Sequence, residues 1–301
     1  MGELRSLAVG GVLLTVWALE AGWARDALSR RLGAEGWVKI YQGAWAVPGA
    51  RVDLRMRLFA RQAAVPRLVV SHRSAAALWR IEVLRDEVVE FTDPAAVARH
   101  RGVRVHRLAV PSQDIQVRQG LRVTGVPRTL ADLLRGGPRD EALIAVDSAL
   151  TRRTVRGIRR GPLAQLGAIE DALDAPLLGA SRARRWLALA DPLCGSPAET
   201  VARLRMRDAG LYPESQVTLV TPNGRICRPD FLFRAAGLVV EIEGYAYHGS
   251  RDAHRRDIDR FNEVALCPEV RAILRFTAED VSHHPDRMIA RIRNALAHLG
   301  S

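Results

Sequence analysis

Lysine is almost absent. Lys39 is the single one, so 44 of the 45 cationic side chains are arginine. GC-rich codon usage produces this bias. So does selection for bidentate phosphate contacts, which a planar guanidinium makes and an ammonium does not. Cysteine is scarce as well: Cys194, Cys227 and Cys267 lie far apart, with no Cys-x-x-Cys pair. That excludes a zinc ribbon, argues against a disulfide framework, and points to a reducing, cytoplasmic compartment. No His-Glu-x-x-His pattern occurs, and the adjacent His283 and His284 would diverge on a helix. Long apolar runs are missing too. Leu7 to Leu19 has 13 residues, short of the ~20 that a membrane-spanning helix needs. Glu3 precedes it, and Trp17, Glu20 and Trp23 crowd the place where a cleavage site would fall. The run therefore reads as a buried helix kept in the mature protein, with no membrane association.

The composition is that of a folded protein: 301 residues, 48% hydrophobic and 26% charged. That is enough for two or three domains, each with its own core. The net charge is +12 and the pI about 10.9, which suggests a polyanionic partner. The charge is unevenly placed. Asp191 to Ser301 holds 15 arginines and 15 acidic residues, so the entire basic excess lies in Met1 to Ala190. One part is suited to holding a polyanion and another to something else.

Three blocks follow along the chain. In residues 1–50, Val9 to Glu20 reads as a helix and Arg25 to Leu32 as a second. Trp37–Tyr41 and Ala44–Val47 read as a hairpin turning at Gln42-Gly43. Helix, turn, helix and hairpin is the order of a winged helix-turn-helix. Arg25, Ser29, Arg30 and Arg31 would meet DNA from the second helix, and Gln42 from the wing. Residues 51–190 read as an α/β domain with basic helices. Ser71 opens a helix, Val103–Arg107 is a strand, and Leu121 to Leu134 is a strand leading into a helix. His72 and His106 read as structural histidines. Thr151 to Arg160 carries five arginines and no acid, and Ser181–Arg185 adds three more. Arg152, Arg153, Arg156, Arg159 and Arg160 are candidate phosphate contacts, although such a run also serves as a plain solvated face.

Residues 191–301 carry the candidate chemistry, in the order α-β-β-β-α-β. Ser196-Pro197-Ala198-Glu199 is a strong helix start. Strands are expected at 216–220 and 225–233 around a Pro222-Asn223-Gly224 turn, then at Leu238–Glu243 and Arg271–Phe276. If Phe233 and Leu238 close a four-residue turn, Asp230 falls opposite Glu241 with ~5 Å between Cβ atoms. Glu243 shares the face of Glu241. Acids in so apolar a strand need neutralising. Mg²⁺ (or Mn²⁺) on Asp230, Glu241 and Glu243 would do so, and so would an arginine partner.

Several short motifs carry a resemblance. Pro229-Asp230-Phe231, Val240-Glu241-Ile242-Glu243-Gly244, Tyr247-His248-Gly249, Asp257-x-x-Arg260-x-Asn262 and Ile273-Leu274-Arg275-Phe276-Thr277 resemble the PD-(D/E)XK nuclease superfamily. Within it they are closest to bacterial domains similar to very-short-patch repair endonucleases. Upstream, Gly43–Val47, Ser71–Ala76 with Leu78-Trp79, Val123-Thr124 and Arg128–Leu133 resemble the antitoxin of type IV abortive-infection systems. The first resemblance implies a restriction-endonuclease-like domain with Asp230 and Glu241 as metal-binding acids. Glu243 stands where that superfamily usually has lysine. It also implies that His248 handles a proton, that Asp257 and Arg260 are at most supporting, and that Glu199 is either the first-helix acid or a capping residue.

The implied activity is metal-dependent phosphodiester hydrolysis by a DNA-binding endonuclease in phage defence or DNA repair, with a cognate toxin or other defence protein as a further partner. The alternative is a non-catalytic DNA-binding regulator of the antitoxin kind, in which an arginine ion pair fills the space between the acids.

Overall fold

The structure, a computed structural model, describes residues 3–84, 88–95, 102–174, 177–243 and 261–300. It is a mixed α/β protein with several sheets. The chain divides into two compact units, Met1–Gly136 and Gly137–Ser301. The boundaries expected near residues 50 and 190 fall inside these units. No helix among the described residues is long and apolar enough to cross a membrane.

The first unit opens with β1 (Val12–Leu14), α1 (Thr15–Glu20), α2 (Arg25–Ala34), β2 (Val38–Tyr41) and β3 (Ala44–Ala46). The strands form a sheet in the order β1-β3-β2, with Val12 opposite Ala46 and Tyr41 opposite Ala44. The helix expected over Val9–Glu20 is thus a strand followed by a short helix. The reason lies in burial. Leu13 packs with Leu4, Leu28, Leu32 and Trp37 on one face of the sheet. Val12 and Leu14 pack with Met56 and Ala60 on the other. A strand covered on both faces reads as a continuous apolar run and shows no alternation. Gly10 and Gly11 both take positive φ, which bends the chain into β1.

Beyond these lie α3 (Leu54–Ala64), β4 (Val69–Val70), α4 (His72–Leu78), β5 (Val89–Thr92), β6 (Val103–His106), β7 (Ile115–Arg118), β8 (Leu121–Thr124) and α5 (Val126–Gly136). Five strands pair in the order β6-β5-β4-β8-β7. The Asp53 carboxylate caps α3 by accepting from Met56 N–H at 2.8 Å. Leu58, Leu78, Phe91 and Val123 centre the core between helices and sheet.

The second unit begins with α6 (Arg139–Leu150), β9 (Arg153–Val155), β10 (Ile158–Arg160), α7 (Leu166–Asp174) and α8 (Ala180–Leu187). The basic run Thr151–Arg160 forms an antiparallel hairpin with Thr154 opposite Arg159. Thr154, Val155 and Ile158 are β-branched and favour extended backbone. Arg156 and Gly157 both have positive φ, as a tight hairpin turn requires. The run Ser181–Arg185 does lie on a helix, α8.

The remainder comprises α9 (Pro197–Asp208), β11 (Glu214–Ser215), β12 (Leu219–Val220), β13 (Ile226–Cys227), β14 (Phe231–Phe233), β15 (Leu238–Glu243), β16 (Ala272–Thr277), α10 (Ala278–His283) and α11 (Pro285–Gly300). Residues 261–265 are helical. The sheet order is β11-β14-β15-β16, antiparallel except for the parallel β15–β16 pair, and β12 and β13 form a small separate ladder. Of the strand expected at 216–220 only Leu219–Val220 forms, after Gln216 at φ +51°, and the one expected at 225–233 is broken in two around Pro229, which offers no N–H. One face of the sheet packs Phe231, Val240 and Ile242 against Ala202, Met206, Val281 and Ile292. The other packs Leu232 and Val239 against Leu219, Cys227, Val264 and Cys267.

Candidate functional site

The acidic residues of the second unit are set by register. Phe233 pairs with Leu238 and Phe231 with Val240, where the antiparallel ladder ends, and Asp230 is the residue just before it on the chain. Asp230 is only 6% exposed. Its Oδ2 accepts the Ile242 N–H at 2.8 Å and its Oδ1 accepts from Gln216 Nε2 at 3.0 Å. Gln216 Nε2 also donates to Glu199 Oε2 at 3.1 Å. The amide therefore bridges two buried carboxylates, one N–H to each. Glu199 further accepts the Gly195 N–H at 2.6 Å, and its own N–H is capped by Ser196 Oγ at 3.2 Å. Burial and the neighbouring Asp230 charge push the Glu199 carboxyl above its ordinary range.

Glu243 behaves differently. It is ion-paired with Arg275, which stands opposite Glu241 on β16. The Arg275 guanidinium lies 4.7 Å from the Phe261 ring centroid. Among the described residues, no group of three His, Cys, Asp or Glu side chains is arranged to hold a metal ion. Asp230 is engaged by Ile242 and Gln216, Glu199 by Gly195 and Gln216, and Glu243 by Arg275. His248, Asp257 and Arg260 lie outside the described residues.

The expected DNA-contacting residues fall in both units. On α2, Leu28 and Leu32 face the core, while Arg25, Ser29, Arg30 and Arg31 are exposed. By helical geometry Arg30 points directly away from the buried edge, with Ser29 and Arg31 to either side. Arg31 is ion-paired with Glu35 four residues on, and Glu35 also accepts from Trp37 Nε1 at 2.9 Å. Gln42 is exposed beside Gly43 at the β2–β3 turn.

The second-unit arginines split in two. Arg152, Arg156 and Arg159 are exposed on or beside the β9–β10 hairpin. Arg153 is buried, at 5% exposure. Arg160 donates to Ser148 O at 2.8 Å, to Ser148 Oγ at 2.9 Å and to the Thr151 and Gly161 carbonyls. Contrary to expectation, these two are structural. Strand alternation turns every second side chain inward, and Arg153 and Arg160 form a cross-strand pair.

Other polar clusters have no sequence motif. In the first unit, buried Glu90 accepts from Arg73 Nε at 3.2 Å, Arg104 Nη1 at 3.3 Å and His106 at 3.4 Å. His72, at φ +49°, stacks on His106 with centroids 3.5 Å apart and meets Ser71 Oγ at 2.9 Å. Burial, then the charge of His106, lowers the His72 pKa to about 3. Burial raises that of Glu90, but hydrogen bonds from His106 and Arg73 outweigh it and bring the value to about 2. In the second unit Arg203 donates to Asp147 at 3.1 Å, to the Leu189 carbonyl at 2.7 Å and to Cys194 Sγ at 3.2 Å. Arginine spacing alone could not separate these internal arginines from surface ones. Only the alternation around Val155 hinted at it.

No protein-family model matches the chain, and no curated protein matches it. Among solved structures it is similar in part to the RV2827C protein from Mycobacterium tuberculosis. The identity is 20%, over 73% of this chain and 86% of that one, with a TM-score of 0.43. This partial likeness fixes neither fold nor activity.

Proposed function

We propose that the chain is a DNA-binding regulator whose C-terminal acidic residues are engaged by partners within the fold, Glu243 by Arg275. The observation that carries this reading is the first unit's β1-α1-α2-β2-β3 order with a β1-β3-β2 sheet. A winged helix-turn-helix would use this order, and it would leave Arg25, Ser29 and Arg30 exposed on the helix that enters the major groove. The exposed Arg152, Arg156 and Arg159 supply a second set of phosphate contacts. The ion pair of Glu243 with Arg275 favours regulation over catalysis, since it occupies the position where a nuclease of the resembled superfamily has its lysine. The antitoxin-like resemblance adds a cognate toxin or other defence protein as a partner.

A second reading, the metal-dependent endonuclease, is favoured by one observation. Gln216 bridges the buried carboxylates of Glu199 and Asp230, and Asp230 directly precedes the strand paired with β15. Two measurements separate the readings: nicking of supercoiled DNA with Mg²⁺ or Mn²⁺, and calorimetric titration of each metal. Tight duplex binding with neither cleavage nor metal uptake supports the regulator. Cleavage abolished by Asp230→Asn and Glu241→Gln establishes the nuclease. Absence of duplex binding at low salt refutes both.

A further inference from the structure

Two of the three cysteines meet inside the second unit. Cys227, the last residue of β13, and Cys267, which follows the helical residues 261–265, have their sulfurs 3.2 Å apart. Both are reduced and buried, Cys227 at 6% and Cys267 at 2% exposure. They sit in the small core formed with Leu219, Leu232, Val239 and Val264. The contact is closer than two sulfurs need for packing, and ~1 Å of further approach reaches the ~2.05 Å bond of a disulfide. Cys194 is in a different environment, beside Arg203 and Asp191.

We infer that Cys227 and Cys267 are a redox modification site, oxidised by hydrogen peroxide to an intramolecular disulfide. The Cys227 sulfur attacks the peroxide O–O bond, takes one hydroxyl as a sulfenic acid and releases water. The Cys267 sulfur then displaces that hydroxyl, forming the S–S bond and releasing a second water. Two thiols and one peroxide give one disulfide and two waters, a balanced two-electron oxidation. Burial, and the hydrogen bond shared with Cys227, push the Cys267 thiol up to about 12, so Cys267 is a poor first nucleophile and its role is to resolve the sulfenic acid. The same burial makes the first step slow and holds the pair reduced in a reducing compartment.

Sequence position gives the bond its consequence. Cys227 stands three residues before Asp230, and Cys267 stands ahead of β16, which pairs with β15 and its two glutamates. The link would tie the β12–β13 hairpin to the approach of β16, across the strands that carry the acidic cluster. This inference depends on neither DNA binding nor hydrolysis.

The test uses the folded full-length chain. After treatment with hydrogen peroxide and quenching, titratable thiols counted under denaturing, non-reducing conditions should fall from three to one. Dithiothreitol should restore three. Peptide mapping should join the Cys227 peptide to the Cys267 peptide and leave Cys194 free. A Cys267→Ala variant should accumulate a dimedone-reactive Cys227, which the wild type does not. Three surviving thiols, a link to Cys194, a link between chains, or a dimedone adduct on wild-type Cys227 would each overturn the inference.

Discussion

Removing single arginines from α2 tests how that helix meets DNA. Each arginine that neutralises a phosphate releases condensed counterions, and contributes ~0.9 to the slope of log affinity against log salt concentration. Between 50 and 200 mM salt, one lost contact therefore flattens the decline in affinity by about 3.5-fold. Arg25 and Arg30 are exposed, and Arg30 Nε donates to the Asp26 carbonyl at 3.4 Å. Arg25→Ala and Arg30→Ala should each lower the slope by about 0.9. Arg31 is already paired with Glu35, so binding phosphate there means giving up that partner. Arg31→Ala should have the smaller effect, and Glu35→Gln should raise affinity at low salt. The assay is fluorescence anisotropy on a short duplex across a salt series, with circular dichroism to confirm folding. Equal slopes for wild type and an Arg25/Arg30 double variant would refute placement of α2 against the DNA backbone.

Three further outcomes follow from the geometry. Arg159→Ala should reduce the salt slope with little change in melting temperature, whereas Arg160→Ala should leave the slope alone and destabilise the second unit by roughly 2 kcal/mol, since it strips donors from the Ser148 and Thr151 carbonyls; thermal denaturation beside the same anisotropy series distinguishes them. Gln216→Met removes both N–H groups that bridge Glu199 and Asp230, and a loss of about 2–4 kcal/mol in urea unfolding at pH 7 is expected, shrinking as acid neutralises the carboxylates. His72 stays neutral in the fold down to about pH 3, while in the unfolded chain it takes a proton near pH 6.5. The unfolded state thus binds the extra proton between those values, and stability falls as pH falls through that window by up to ~1.4 kcal/mol per unit. His72→Asn, which tolerates the left-handed backbone, should remove that slope between pH 4.5 and 6.5 in urea titrations; an unchanged slope would assign it to other groups.

Local features of this protein are legible in the sequence because they are fixed by local chemistry. Ser196-Pro197-Ala198-Glu199 begins a helix because a hydroxyl cap and a fixed proline φ act within one turn. Thr221 to Arg225 closes on itself because Gly224 supplies the positive φ and the Thr221 hydroxyl accepts the Arg225 N–H. The pairing of Phe233 with Leu238 and of Phe231 with Val240 follows from one turn length and the two-residue period of a strand.

What tertiary structure decided is which faces are covered and which charges are spent. Val12–Leu14 is a strand because core lies on both sides of it, and no periodicity records that. Arg153 and Arg160 match Arg152, Arg156 and Arg159 in type, and only the fold of the hairpin turns the first two inward. Gln216 joins Glu199 to Asp230, and Arg275 reaches Glu243, through contacts that exist only once strands distant in sequence lie side by side. A carboxylate's chemistry depends on the donors that reach it, and chain folding alone chooses those donors.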